Sequence, residues 1–201
     1  MRVKNWMTKS APVIRRDSNV REALKVMELY GMKELAVVDE EGRYMGILNK
    51  EDIIKQSSEK NIEDFVIFRE FYLHPEDTIE ASFLAFMETS EEFVPVVDDD
   101  LKVVGMLTLQ DVLESMIEIT AMDEPGCRLS LLLEDKPGKL FDVVKALSEN
   151  GFNILSILTY RESEDRRRVV IRVEAMDCDD VRAALERAEI SYDSLIEEEG
   201  F

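Results

Sequence analysis

The chain has 201 residues, 45% hydrophobic and 34% charged, the composition of a soluble globular protein with a core large enough for one big domain or two modest ones. Its 44 acidic against 25 basic side chains leave a formal charge of −19, a field that repels nucleic acid, anionic membrane surfaces and long acidic partners. A single histidine and two distant cysteines, Cys127 and Cys178, supply no metal cluster and read as two buried thiols in a reducing cytoplasm; no apolar run approaches membrane-spanning length, and Met1 to Trp6 lacks a signal-peptide apolar region.

From Val13 to Ile53 the chain carries a block that returns without a gap 59 positions later, at Tyr72 to Val112. Val37-Val38-Asp39 comes back as Val96-Val97-Asp98, and the run Gly46 to Ile53 comes back as Gly105 to Val112. Such a period signals one supersecondary unit used twice, each copy covering the apolar face of the other. In the first copy Asn19 with Glu22 forms the pattern of a capping box, followed by Val20, Ala23, Leu24 and Met27 at helical spacing. Leu35 to Val38 and Tyr44 to Leu48 read as a strand pair around the turn Glu40-Glu41-Gly42, and Lys50 to Ser57 as a closing helix. The second copy repeats this with Ile79, Ser82, Phe83 and Phe86 on a helix face, strands at Phe93 to Val97 and Val103 to Leu107, and a helix from Leu109 to about Ile119. The expected order is β-α-β-β-α, twice.

Asp123-Glu124-Pro125-Gly126 breaks the pattern and marks a domain boundary. Beyond it Leu129 to Leu133 reads as a strand, and Pro137 as a first helical position ahead of Leu140, Val143, Val144 and Leu147, with Asn150-Gly151 as the stop. Phe152 to Tyr160 and Arg168 to Val173 are strands about the turn Glu162 to Asp165; a helix at Val181 to Ala188 and a strand from Ile190 to Ile196 follow. The plan is β-α-β-β-α-β, ferredoxin-like.

Chemistry concentrates where a strand runs into a helix. Thr108 falls at a helix N-cap with Asp111 one turn in, matched by Asn49 and Asp52 in the first copy. A carboxylate there can accept hydrogen bonds from a ribose diol while the helix N-terminus and the hydroxyl face a phosphate, and local backbone N–H groups can hold a small nucleotide despite the global charge. The same pattern is also an ordinary helix cap. The duplication favours a pair of related clefts between the units. Asp98-Asp99-Asp100 reads as a solvated turn and Arg166-Arg167-Arg168 as local charge balance at a strand start. His74 has no nucleophile in view, and no nucleophile-base pair, phosphate loop or metal site points to an enzyme.

These residues resemble a known arrangement. The repeat is similar to a tandem pair of CBS domains, the Bateman module, over residues 1–60 and 61–122. Residues 127–201 resemble an ACT domain through Asp135-Lys136-Pro137-Gly138-Lys139-Leu140 and Gly151-Phe152-Asn153-Ile154. The domain order is similar to that of the acetoin utilization AcuB-like family. The resemblance implies a mixed α+β fold of two CBS units and a ferredoxin-like ACT domain, a homodimer, and a cytoplasmic regulatory protein that acts on a partner. It also implies that an adenine nucleotide (AMP, ADP or ATP) binds to Thr108 and Asp111 together with Met7, Thr8, Pro12, Val13 and Lys33. A matching, weaker site would use Asn49, Asp52, Val66, Phe71 and Tyr72, where Asn49 replaces the usual hydroxyl and Glu92 stands in the place of Lys33. An amino acid or similar effector would bind at Asp135, Pro137, Gly138, Leu140 and Asn153; the bare alternative there is a tight connection that serves only dimerisation. A scaffold whose sites have decayed is the second reading of the whole chain.

Overall fold

The first helix starts as its sequence dictates: the Asn19 side chain accepts the Glu22 N–H at 3.0 Å, and the Glu22 carboxylate accepts the Asn19 N–H at 3.1 Å. This computed structural model describes residues 1–68, 70–88 and 92–200. Two compact units divide the chain, Met1–Ser115 and Met116–Phe201.

In the first unit, the leading repeat consists of β1 (Val13–Arg15), α1 (Val20–Tyr30), β2 (Glu34–Val38), β3 (Tyr44–Asn49) and α2 (Lys50–Ile53). β1 runs parallel to β2, and β2 antiparallel to β3. Val20, Ala23 and Met27 lie on the buried face of α1, packed on Leu35, Val37 and Leu48, each large side chain contributing roughly 2 kcal/mol through burial. The helix stops at Gly31, whose φ of 67° is the left-handed conformation that ends helices. α2 is shorter than the helix expected from Lys50 to Ser57. Ile54 is exposed, so a second turn would have no apolar face to bury, and Gln56 turns back to the Ile53 carbonyl instead.

The second repeat supplies α3 (Ile79–Glu88), β4 (Phe93–Val97), β5 (Val103–Thr108) and α4 (Leu109–Thr120). Its expected first strand shrinks to one bridge, Leu73 to Val96. The cause is Pro75. The matching Arg16 donates its N–H to the Val38 carbonyl at 3.0 Å, and proline has no N–H to donate. The repeats meet about an approximate two-fold: Tyr44 N–H bonds the Leu101 carbonyl at 2.8 Å, and Val103 N–H bonds the Gly42 carbonyl at 3.2 Å. Ala36, Tyr44 and Ile47 from one copy share a core with Phe93 and Val97 from the other.

Their entry segments are exchanged. Val3 and Thr8 bond Asp77 and Met106 of the second repeat, while Ile62 and Ile67 bond Ser18 and Ile47 of the first.

In the second unit, β6 (Gly126–Glu134), α5 (Lys139–Glu149), β7 (Asn153–Arg161), β8 (Arg166–Glu174), α6 (Cys178–Arg187) and β9 (Ser194–Glu198) form an antiparallel sheet of order β7-β8-β6-β9, with helices packed on one face. Alternate residues of β6 and β8 (Leu129, Leu131, Val169, Ile171, Val173) meet Val143, Leu147, Val181 and Leu185 of the helices. Two boundaries differ from expectation. Pro137 lies ahead of α5, whose cap is Gly138 in a left-handed conformation, and β9 starts at Ser194 because Ile190 and Tyr192 turn into the core.

One expectation is overturned. Cys127 and Cys178 are not free thiols but a disulfide, their Cα atoms 5.7 Å apart. Cys127 points from β6 toward the helices and Cys178 opens α6, so chain-distant residues become core neighbours. The argument from thiols to a reducing compartment loses its premise.

Candidate functional site

Thr108 ends β5 and caps α4. Its N–H and its hydroxyl both donate to Asp111 Oδ2 at 2.7 Å, and the Asp111 N–H donates back to Thr108 Oγ1 at 3.2 Å. This reciprocal cap occupies one carboxylate oxygen and leaves Oδ1 for another donor. Three residues upstream, Gly105 lets the entry segment lie on the strand: a Cβ there would meet the Thr8 carbonyl at 2.6 Å and the Met7 sulfur at 3.1 Å. Thr8 exchanges hydrogen bonds with Met106 at 2.9 and 3.0 Å. Met7 and Thr8 are thus gathered against the strand that carries Thr108. Pro12 is buried and Val13 exposed at the start of β1, paired toward β2; among the described residues, no hydrogen bond joins them to Thr108 or Asp111.

The first repeat builds the same frame with other side chains. Ile67 exchanges hydrogen bonds with Ile47 at 3.1 and 3.0 Å, passing over Gly46, where a Cβ would meet the Ile67 carbonyl at 2.4 Å. Val66 is half-buried beside it, and Phe68 is exposed. Asn49 caps α2 by accepting the Glu51 N–H at 2.9 Å, and its amide donates to Glu34 Oε1 at 3.2 Å. Asp52 is exposed and has no hydrogen-bond or ion-pair partner among the described residues. Tyr72 stands edge-on to Tyr44, with ring centroids 6.1 Å apart, and Phe71 beside it is half-buried.

Glu34 was not among the residues singled out from sequence. It is buried, faces Asn49 across β2 and β3, and also accepts the Glu92 N–H at 2.9 Å. The available signal was its repeat partner, the apolar Phe93, opposite Thr108. Lys33 sits next to it, its carbonyl accepting the Lys50 N–H at 2.7 Å, so its backbone borders the start of α2.

In the second unit the five effector residues separate into two groups. Asp135 is held by Arg167 at 3.0 and 3.3 Å and by Arg161 at 3.5 Å, and the hydrogen bond from Arg167 keeps its carboxyl below the ordinary range. Pro137, Gly138 and the half-buried Leu140 follow at the turn into α5. Asn153 lies at the far end of the same sheet. It pairs with Glu174, to which its amide donates at 2.9 Å, beside a cavity of about 630 Å3 lined by Gly126, Gly151 and Met176 among others. Asp135 instead adjoins the Arg166 end of β8.

Among the described residues no group of three or more His, Cys, Asp or Glu could hold a metal ion, and no helix is long and apolar enough to cross a membrane.

Two repeats that exchange entry segments, followed by a ferredoxin-like unit, define a class: a CBS domain pair with an ACT domain. Residues 3–59 and 62–118 match the CBS domain, and residues 128–190 match the ACT domain. The chain belongs to the CBS domain family and carries an ACT domain in addition. A solved CBS domain pair/ACT domain protein of Thermotoga maritima is 36% identical, with a TM-score of 0.56, over 59% of this chain and 98% of that one. The CBS domain pair of protein MJ0100, solved with 5′-methylthioadenosine and S-adenosyl-L-methionine, is 26% identical, with a TM-score of 0.51, over 58% of this chain and 95% of that one. Among curated proteins, inosine-5′-monophosphate dehydrogenase of Methanocaldococcus jannaschii is 31% identical over 143 residues, 70% of this chain and 28% of that protein. The chain spans well under two thirds of the curated relatives it first matches.

Proposed function

We propose that the protein is a non-catalytic sensor that binds an adenine nucleotide at the CBS pair and reports it to a partner protein. The carrying observation is the duplicated frame: an entry segment laid over a glycine of the last strand, next to a capped helix start that bears a carboxylate. At the Thr108 junction, Asp111 Oδ1 takes a ribose hydroxyl, α4 and Thr108 face the phosphate, and Met7, Thr8, Pro12, Val13 and Lys33 frame the base and its tail. The ligands of protein MJ0100 support adenosyl recognition by this kind of pair. Ligand moves the output only as far as it favours one arrangement of the repeats over another. The domain order supports a place in the acetoin utilization AcuB-like branch.

For the ACT domain, a second copy completes the effector set. β7 is an edge strand. Antiparallel pairing of β7 with its counterpart brings one protomer's Asn153 beside the other's Arg161, and so beside Asp135 and the Pro137-Gly138-Leu140 turn that receives a small carboxylate. Homodimerisation and effector binding are then one property.

Thermal shift of the full chain with AMP, ADP and ATP tests the nucleotide reading. Saturable stabilisation is expected, about 2.7 kcal/mol at a hundred times Kd, and Asp111→Ala removes it. No shift at millimolar nucleotide turns the conclusion toward a scaffold with decayed sites.

A further inference from the structure

The ferredoxin-like sheet has two edge strands, β7 and β9, and they are built differently. The pairing of β7 with β8 is irregular between Ile154 and Ser156, whereas β9 pairs with β6 from Ser194 to Glu198 without a break in register. On such an edge every second residue turns its backbone N–H and C=O away from the sheet, and proteins commonly blunt it with a bulge, a proline or a lysine. The stretch from Asp193 to Glu199 holds no proline or lysine, and its pairing shows no bulge. β9 is thus a short, regular template for another extended strand.

What guards this edge is negative charge, and the charge is unevenly offset. Arg172 pairs with Glu198 and Arg168 with Asp193, so two of the four acids have cations from their own chain. Glu197 and Glu199 are exposed and have no hydrogen-bond or ion-pair partner among the described residues. Both line the cavity of about 630 Å3 that also borders Glu174 and Met176. Between them in sequence, the pleat turns Glu198 to the opposite face, where Ile196 stands exposed. A second copy of β9 does not suit this edge, because pairing would bring two sets of glutamates together. A strand with basic residues at alternate positions and apolar ones between them does: its cations reach Glu197 and Glu199 while an apolar side chain lies against Ile196. The net charge of −19 draws such a segment toward the chain.

We propose that β9 is a docking edge for an extended basic segment of a partner protein, which adds a fifth strand to the sheet. The segment alternates lysine or arginine with apolar residues, and the cavity beside Glu174 receives one of its basic side chains. This rests on the proposed sensor reading only in that the receiver of the signal is a protein; the nucleotide site takes no part in it.

Fluorescence anisotropy of the full chain with a labelled peptide of alternating lysine and valine tests this, and saturable binding is expected. Glu197→Lys with Glu199→Lys should weaken it at least tenfold. Asp99→Lys with Asp100→Lys makes the same change of net charge in an exposed turn of the first unit and should weaken it less than twofold. The same peptide N-methylated at two adjacent central amides, one of which faces the sheet in either register, should bind at least tenfold more weakly. If the lysine pair at 197 and 199 lowers the melting temperature, Glu197→Gln with Glu199→Gln is read in its place, with a loss of at least threefold. Affinity retained in the 197/199 variants, an equal loss in the Asp99 and Asp100 variant, or unchanged binding of the methylated peptide overturns the inference. So does a failure of the unaltered chain to bind the peptide. A change of sedimentation coefficient in the 197/199 variant without peptide also overturns it, by showing a second copy on the edge. Stabilisation by AMP is read separately, so none of these outcomes bears on the nucleotide site.

Discussion

Lys33 and Glu92 hold the same position in the two repeats, and they touch. The Lys33 ammonium lies 3.7 Å from the Glu92 carboxylate, which also accepts the Lys33 backbone N–H at 3.2 Å. The opposite charges that distinguish the two copies in sequence are therefore not independent, because each offsets the other at the two-fold. Both side chains are largely exposed, so the pair contributes at most about 0.5 kcal/mol to stability.

Glu92→Gln should accordingly leave the urea midpoint almost unmoved and release the Lys33 ammonium. AMP affinity at low salt is expected to rise about two- to fivefold, with the gain fading as added salt shortens the Debye length. Titration at two ionic strengths checks this; an affinity that falls or stays constant at low salt shows that Lys33 does not face the phosphate.

Gly105→Ala should detach the N-terminal segment. The new methyl would stand 2.6 Å from the Thr8 carbonyl, a backbone atom that cannot swing aside, and the paired bonds between Thr8 and Met106 would break. A loss of about 2 kcal/mol is expected, with faster proteolysis near Met7. Gly42→Ala is the comparison: nothing lies within 4 Å, and only its φ of 81° opposes the methyl, costing about 1 kcal/mol. Denaturant melts and timed proteolysis of the two variants decide.

The repeat was legible because two copies of one pattern confirm each other residue by residue, and the capping box at Asn19 because its signal is entirely local. What depends on distant partners was not. Nothing near Cys127 indicates that it lies beside Cys178 until the crossover connections of the sheet are known. Glu34 drew no notice in the sequence, because only the pairing of β2 with β3 brings it to Asn49. The lost strand at Leu73 was legible in principle, from Pro75 standing where Arg16 must donate. The division of the ACT signature between two ends of one sheet follows from strand direction, which motif spacing does not carry.

Reduction of the disulfide between Cys127 and Cys178 should destabilise the C-terminal unit markedly. The bond closes a loop with a sequence separation of 51, for which loop-closure entropy gives about 4 kcal/mol. Calorimetry with and without a thiol reductant should show a separate transition that moves to lower temperature while that of the first unit stays in place. Movement of both transitions together would show that the two units melt as one.

Acid should act on the same unit through Asp135 and Glu162. Hydrogen bonds from Arg167 and Arg168, respectively, lower their folded-state carboxyl pKa values below the unfolded ones. A depressed folded value means stability that is present in full above the unfolded pKa, near 4, and lost as pH falls through the lower folded value. Urea midpoints of the unit are therefore expected to fall below about pH 4. Asp135→Asn should flatten that dependence; an equally steep profile in this variant would place the acid sensitivity elsewhere.

The exchanged entry segments bear on how the chain leaves the ribosome. Thr8 cannot take its place until Met106 has been made, and Val3 waits for Asp77, so these residues are settled long after they are synthesised. Throughout that interval the Thr8 backbone groups and the Val3 side chain have no partner in their own chain, and a neighbouring copy that is further extended could supply one.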